Sequence, residues 1–288
     1  MPALLPAVIP SPAISWFSLG PLTIHFYALC ILAGMAAAVW LTMRRWTARG
    51  QDPEVLWDIV FWAVICGIVG ARAYHVFITD PGGYFGPGAH PLDALKLWEG
   101  GLGIMGAVLF GAGAAWVVSR RNGVPLSVFA DCVAPALLLA QGIGRWGNWF
   151  NQELFGKPTT LPWGLRIDPG SANFPPGLPP ETLFHPTFLY ESLWDLLGAV
   201  ILILLGRHFA LGHGRLFSLY LMYYGLGRLL IELFLRTDPA LMVAGLRVHV
   251  WTSLALILLG GVLFAVITAR HRGSPDRRDV NRDARLLN

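Results

Sequence analysis

Charge is scarce in this chain. Asp, Glu, Lys and Arg make up 13% of its 288 residues, roughly half the ~25% of a soluble domain, while 55% are hydrophobic. That balance excludes an ordinary soluble globular domain and points to an integral membrane protein. Cysteine is scarce as well. Cys30, Cys66 and Cys132 each lie inside an apolar run with no C-x-x-C pair, which excludes a disulfide framework and a zinc site and leaves three small buried hydrophobes. No metal site is expected. There is no P-loop, no G-x-S-x-G elbow, no H-E-x-x-H and no arguable Ser-His-Asp set. No internal repeat is visible, which counts against most transporter folds. No positive n-region opens the chain, so a cleaved signal peptide is not expected. The net charge of +4 comes from short loops and a tail, so nucleic acid is not an expected partner.

What is present is a series of long apolar runs. A membrane-spanning helix takes about 20 mainly apolar residues, and seven such segments are read at roughly 22–43, 55–79, 98–118, 125–149, 187–206, 215–235 and 249–269. The expected fold is therefore an all-α integral membrane protein with seven transmembrane helices. Residues 1–21, rich in proline, read as an interfacial stretch. The Pro- and Gly-rich connection 150–186 is long enough to be functional and reads as a small extracytoplasmic head. Together, 1–269 form the membrane domain, and 270–288 a charged tail expected to be disordered. Thirteen of the 21 Lys and Arg fall on one side: Arg44, Arg45, Arg49, Arg120, Arg121, Arg207, Arg215 and six in the tail. Five fall on the other, Lys96, Lys157, Arg166, Arg236 and Arg247. The positive-inside rule then puts the N-terminus outside and the C-terminus in the cytoplasm.

The remaining three, Arg72, Arg145 and Arg228, sit within the apolar segments, where charged groups face a protein interior or a watery cavity and mark functional sites by default. "GLGRLLIELFLR" spaces Arg228, Glu232 and Arg236 by four, so one helical face carries them. This is either a structural Arg228–Glu232 ion pair or a net positive face for an anionic ligand, since the guanidinium fork suits phosphate. "GIGRWGNWFNQELFG", 142–156, steps Arg145, Asn148 and Asn151 by three and ends on Glu153. Its glycines remove bulk so that another backbone or a ligand can come close. Arg72 either anchors a phosphate or pairs with Glu99, Glu153 or Asp131. His25 and Tyr27 read as interfacial anchors or ligand contacts. Six glycines between Gly100 and Gly113 serve tight helix packing or the approach of a headgroup. "HPTFLYE" adds His185, Tyr190 and Glu191. Arginines, amides and carboxylates at one end of apolar helices fit a phospholipid. The residues by themselves lead to a phospholipid-binding membrane protein acting on the headgroup. A non-enzymatic anionic-lipid transporter and a polar-packed scaffold remain as alternatives.

The stretch 142–156 resembles the signature of the prolipoprotein diacylglyceryl transferases, G-x-G-R-x-G-N-[FW]-x-N-x-E-x-[WF]-G. "GPLTIHFYAL" at 20–29, "GARAYHV" at 70–76, "WEGGLGIMG" at 98–106, "HPTFLYE" at 185–191 and "GLGRLLIELFLRTD" at 225–238 extend the likeness along almost the whole chain. The resemblance implies a seven-span enzyme of the bacterial cytoplasmic (inner) membrane with an extracytoplasmic head. It implies transfer of the diacylglyceryl group of phosphatidylglycerol to the lipobox cysteine of a preprolipoprotein signal peptide, giving a thioether and glycerol-1-phosphate, with no cofactor. The nucleophile is then the substrate's own thiol, in keeping with the lack of a nucleophile motif. Arg145 matches the signature arginine and Arg228 a second essential one. Asn148, Asn151 and Glu153 match the polar positions, and His25 and Tyr27 match the first-helix motif. The candidate catalytic set is Arg145, Arg228 and Tyr27. The candidate phosphatidylglycerol-binding set is Arg145, Arg228, Asn148, Asn151, Glu153, His25, Glu232 and Arg72.

One departure stands out. Where some members of the family carry a histidine proposed as the base, this chain has Met105, which takes no proton. Either no dedicated base is needed at this position, since nearby arginines can lower a thiol pKa of about 8.5, or the thiol is deprotonated elsewhere, with Glu153, Glu191, Glu232 and His25 as the candidate replacements.

Overall fold

A computed structural model of the chain describes residues 8–20 and 22–271; most of the expected charged tail, from residue 272 on, lies outside the described residues. The elements run β1 (Trp16–Leu19), β2 (Leu22–His25), α1 (Phe26–Ala48), α2 (Pro53–Tyr74), α3 (Pro81–Phe85), α4 (Ile104–Arg121), α5 (Leu126–Phe150), β3 (Pro158–Thr159), β4 (Leu165–Arg166), β5 (Leu183–Phe184), α6 (Thr187–His208), α7 (Arg215–Phe234), β6 (Met242–Val243), β7 (Leu246–Arg247) and α8 (Val248–Arg270). A five-residue π-helical turn, His75–Thr79, prolongs α2. The fold is mostly helical, as an all-α membrane protein should be. Among the described residues, three small sheets were not announced by the sequence: the hairpins β1–β2 and β6–β7, and a three-stranded sheet ordered β3-β5-β4.

Among the described residues, six helices are long and apolar enough to cross a membrane: α1, α2 with its π turn, α5, α6, α7 and α8. The third expected segment, 98–118, differs. Its first residues form a 3-10 turn and extended chain, and α4 itself starts only at Ile104 and closes on Arg120 and Arg121. These two charges dilute its apolar character.

The chain divides into two compact units, 43–129 and the remainder. In the first, α2 starts at Asp52, whose carboxylate accepts from the Glu54 N–H at 2.9 Å, with Pro53 at the first helical position; both are ordinary helix-start signals. The α2–α4 contact is built on glycine. A Cβ on Gly106 would lie 2.1 Å from the Gly70 carbonyl oxygen, and one on Gly70 would lie 2.5 Å from the Phe110 Cβ. Gly103 donates its N–H to the Ala71 carbonyl at 2.9 Å. For these glycines the structure favours close helix packing over approach of a headgroup, the small-residue solution typical of membrane helices.

In the second unit, α5, α6 and α7 share a core containing Ala134, Leu138, Ala199, Leu202, Leu216 and Leu221. Asp131, 1% exposed, reaches from α5 to the start of α7. Its Oδ2 accepts from Gly214 N–H at 2.7 Å, and its Oδ1 accepts from Leu216 and Phe217 N–H at 3.0 and 3.1 Å. These are orphan donors of a helix start, satisfied by a distant carboxylate. Above the helices, the three-stranded sheet carries its own core of Phe155, Leu165, Ile167, Phe184 and Phe188. Ile9 joins that sheet beside Leu165.

Asp131→Ala leaves three backbone N–H groups without their acceptor. The expected loss is about 1–3 kcal/mol, read as a lower midpoint of thermal unfolding in detergent. Asp131→Asn, which keeps one acceptor oxygen, should fall between alanine and the parent.

Candidate functional site

The motif 142–156 contains its own helix stop. Gln152 and Leu154 both take positive φ, 51° and 57°, a conformation that costs a residue bearing a Cβ. Around Gln152 the Glu153 N–H bonds to the Asn148 carbonyl and the Gln152 N–H to the Trp149 carbonyl, the pairing of a Schellman stop with glutamine in the usual glycine place. The Gln152 side chain is tied at both ends, its Oε1 accepting from the Asp168 N–H at 2.8 Å and its Nε2 donating to the Pro12 carbonyl at 3.4 Å. The stop folds Glu153 back over the helix it ends. Its Oε1 accepts from Asn148 Nδ2 at 2.9 Å and from Asn151 Nδ2 at 3.3 Å. Gly142 and Gly147 make room for neighbours. A Cβ on Gly147 would lie 2.6 Å from the Tyr27 ring, and one on Gly142 would lie 3.2 Å from the Ser192 carbonyl oxygen. Tyr27 thus rests on α5, within electrostatic reach of Arg145 and Glu153.

One carboxylate collects the arginines. Glu191 Oε2 lies 3.1 Å from Arg145 and 3.3 Å from Arg236, and Oε1 lies 3.4 Å from Arg228 and 3.3 Å from Arg236. Three segments, α5, α7 and the chain just beyond α7, are joined to α6 through this group. Arg228 also meets Glu232 at 2.5 Å; Glu232 in turn holds Arg247 at 2.6 Å, and Arg247 reaches Asp238 at 3.0 Å. Arg236 donates to the Leu154 carbonyl at 2.8 Å, so its side chain, 1% exposed, is a strut. Arg145 and Arg228 keep 17% exposure each, enough to offer donors to a ligand. They line a cavity of about 140 Å³ with Tyr190, Glu191, Trp194, Asp195, Tyr224 and Ile231. Trp194 and Tyr223 stack at 4.6 Å and exchange hydrogen bonds with each other's carbonyls, which locks α6 to α7 beside it. In the first turn of α6, the Tyr190 hydroxyl accepts from Trp163 Nε1 at 3.0 Å and lies 3.4 Å from His185 Nδ1. Burial, and then the Lys157 ammonium, push His185 below the usual imidazole range.

A family model described as prolipoprotein diacylglyceryl transferase matches residues 15–266. The chain belongs to this family. The phosphatidylglycerol–prolipoprotein diacylglyceryl transferase of Paenarthrobacter aurescens is 51% identical over 281 residues, 95% of this chain and 88% of its own length. Transferase 2 of Streptomyces coelicolor is 52% identical over 268 residues, 93% and 83% of the two chains. The Frankia alni transferase is 52% identical over 270 residues, 94% and 70%.

Of the expected site residues, the structure brings Arg145, Arg228, Glu232 and Glu191 into one ion network, while Asn148 and Asn151 hold Glu153 at the end of the helix that carries Arg145 and Tyr27 rests on Gly147 of that helix. Glu232 is not left facing a ligand. Its side chain has 0% exposure and is enclosed by Arg228 and Arg247. Arg72 departs furthest from expectation. Its five donors meet five backbone carbonyls of its own unit, those of Ala94, Gly100, Gly101, Asp93 and Lys96, at 2.6–3.2 Å. A guanidinium so used shapes the 93–101 loop and has no donor left for a phosphate. Asp131, one of its expected partners, caps α7 instead. His25 is exposed in β2, paired with Trp16, and Met105 is 58% exposed at the start of α4. Sequence reasoning missed Asp195 and the strut roles of Arg236 and Arg247. The available signal was spacing: Asp195 stands four residues after Glu191, on the same helical face.

Glu191→Gln removes the charge that the buried Arg236 and the partly exposed Arg145 and Arg228 share. Breaking buried pairs of this kind costs about 3–5 kcal/mol, so the variant should unfold well below the parent in a detergent thermal melt; a midpoint within a degree would contradict the hub. For His185 the folded pKa lies below the unfolded one, so the unfolded chain protonates first. Its contribution to stability is then complete above the unfolded value of about 6.5 and lost as the pH falls. Melts between pH 7.5 and 5 should show a drop that His185→Gln flattens.

Proposed function

We propose that this chain transfers the diacylglyceryl group of phosphatidylglycerol to the thiol of a prolipoprotein's lipobox cysteine, releasing glycerol-1-phosphate. The observation that carries the reading is the meeting of Arg145 and Arg228, from two helices, on Glu191 beside a cavity, each with part of its guanidinium still accessible. A phosphate ester leaves in this reaction, so negative charge grows on its oxygens. Preorganised guanidinium donors stabilise that charge most in the transition state. Arg145 is assigned to the leaving phosphate and Arg228 to its second flank. Asn148, Asn151 and Glu153 fix the helix end from which Arg145 projects, and Tyr27 packs over it. The sulfur attacks the glycerol carbon that bears the phosphate ester, the C–S bond forming as the C–O bond breaks.

The proposed setting is the bacterial cytoplasmic membrane. Seven helices cross it, α4 included, with the N-terminus and the 150–186 head outside and the C-terminus in the cytoplasm. Support comes from the Lys and Arg bias and from exposed apolar side chains such as Phe61, Leu109, Leu204 and Leu258, which need a lipid environment.

The test mixes purified protein in detergent with phosphatidylglycerol and a lipobox peptide and follows the peptide's mass; no diacylglyceryl adduct would falsify the reading. Arg145→Ala should lower turnover by about 10²–10³, and a rate within a few-fold of the parent removes Arg145 from the chemistry. Replacing Cys30, Cys66 and Cys132 together by alanine should leave turnover within a few-fold, since the reacting sulfur belongs to the substrate.

A further inference from the structure

Asp195 is the unexplained carboxylate of the cavity. It is 3% exposed, lines the space beside Arg145 and Arg228, and its Oδ2 is buried with no hydrogen-bond partner among the described residues. A buried carboxylate oxygen without a donor costs far more than one that is paired, so the site calls for a ligand that brings a proton. The other carboxylates at the site are already engaged. Both oxygens of Glu191 and both of Glu232 lie against arginines, and Glu153 holds two asparagine amides.

Its height on the helix fits one donor in particular. α6 starts at Thr187, directly after the 150–186 connection, and Asp195 lies one turn further in than Glu191, about 6 Å along the axis. A phosphate held by the arginines at the Glu191 level directs its diacylglycerol toward the apolar side. The carbon to be attacked then lies below the phosphate, and in-line displacement brings the sulfur in from the side opposite the leaving oxygen. That is the level of Asp195.

We propose that Asp195 is the proton acceptor for the substrate thiol, an assignment that rests on the transferase reading. The S–H proton passes to Oδ2, the sulfur electron pair forms the C–S bond, and the C–O pair leaves with the phosphate. The proton then returns to the departing phosphate or to water, which regenerates the carboxylate. The charged and titratable groups facing Asp195 are Arg145 from α5, Tyr220, Tyr223, Tyr224 and Arg228 from α7, and Glu191 on its own helix. None of these groups donates to Oδ2.

The experiment compares a lipobox peptide with its selenocysteine counterpart, whose selenol is already ionised at neutral pH and needs no base. Asp195→Asn should cut kcat on the cysteine peptide at pH 7 by about 10²–10⁴, with KM for phosphatidylglycerol changed less than threefold. The residual rate should climb with pH toward the free-thiol range near 8.5. On the selenocysteine peptide the variant should return to within about fivefold of the parent. An equal loss on both peptides, or a loss independent of pH, overturns the proposal and makes Asp195 a binding or packing residue. Asp195→Glu should retain more activity than asparagine. If Asp195→Asn does not accumulate folded, the parent enzyme decides: its rise in rate with pH should appear with the cysteine peptide and vanish with selenocysteine, and a rise that persists with both overturns the assignment. Absence of any adduct from the parent overturns the transferase reading itself, and this assignment with it.

Discussion

A single carboxylate holds the site together. Glu191 is the point where α5, α6, α7 and the strand-bearing chain after α7 are fastened, because α5, α7 and the chain after it each bring an arginine to this one α6 carboxylate. Arginines buried at the end of a helix bundle would repel one another without it. Shared among three guanidiniums, one negative charge secures their positions and leaves the group net positive. The same interaction therefore serves stability and anion binding. It also separates the arginines by duty: the fully enclosed Arg236 braces the loop at Leu154, while Arg145 and Arg228 retain accessible donors.

The glycines show the complementary economy of bulk. Where Gly70 faces Gly106, and where Gly227 abuts the Trp194 ring 2.2 Å from its virtual Cβ, helices come close enough for aromatic and carbonyl groups to interlock. In a chain so poor in charge, this close contact supplies the packing that hydrophobic exclusion cannot supply between helices in lipid. Asp131 adds a polar fastening at the opposite end of α7 from the arginine network, so that helix is pinned at both ends.

Much of this was legible in the residues. Apolar runs gave the positions of six long helices to within about five residues and set the start of α4 six residues early, and the i, i+4 spacing of Arg228 and Glu232 and the i, i+3 spacing of Arg145 and Asn148 gave their common faces. Less legible was anything that depends on what a side chain meets across the fold. Arg72 looks like a ligand arginine because it sits in an apolar segment; only the 93–101 loop folding onto it reveals five carbonyls waiting. Glu232 looks half of a simple pair until Arg247, fifteen positions on, closes over it. Asp195 carries no motif at all, and its interest arises from an unpartnered oxygen that a one-dimensional pattern cannot register. The Gln152 stop was hidden for a different reason: glycine marks a left-handed turn in sequence, whereas a glutamine held by two distant backbone groups does not.

The first described residues are stitched to the far side of the head. Ile9 pairs beside Leu165, Ser11 donates to the Arg166 carbonyl, and Pro10 and Pro12 accept from Trp149 and Gln152. These partners come some 150 positions later in the chain, with Ser11 and Arg166 separated by 155, so the opening segment must wait through the synthesis and insertion of several helices before it finds them. The helix end that carries Arg145 has its own local stop, but Trp149 and Gln152 on it gain Pro10 and Pro12 only when this late clasp closes, and Glu191 acquires Arg236 later still. A chain made only through α5 carries Arg145 but not Glu191, Arg228 or Arg236, so the arrangement that acts on the lipid exists only once α7 is complete.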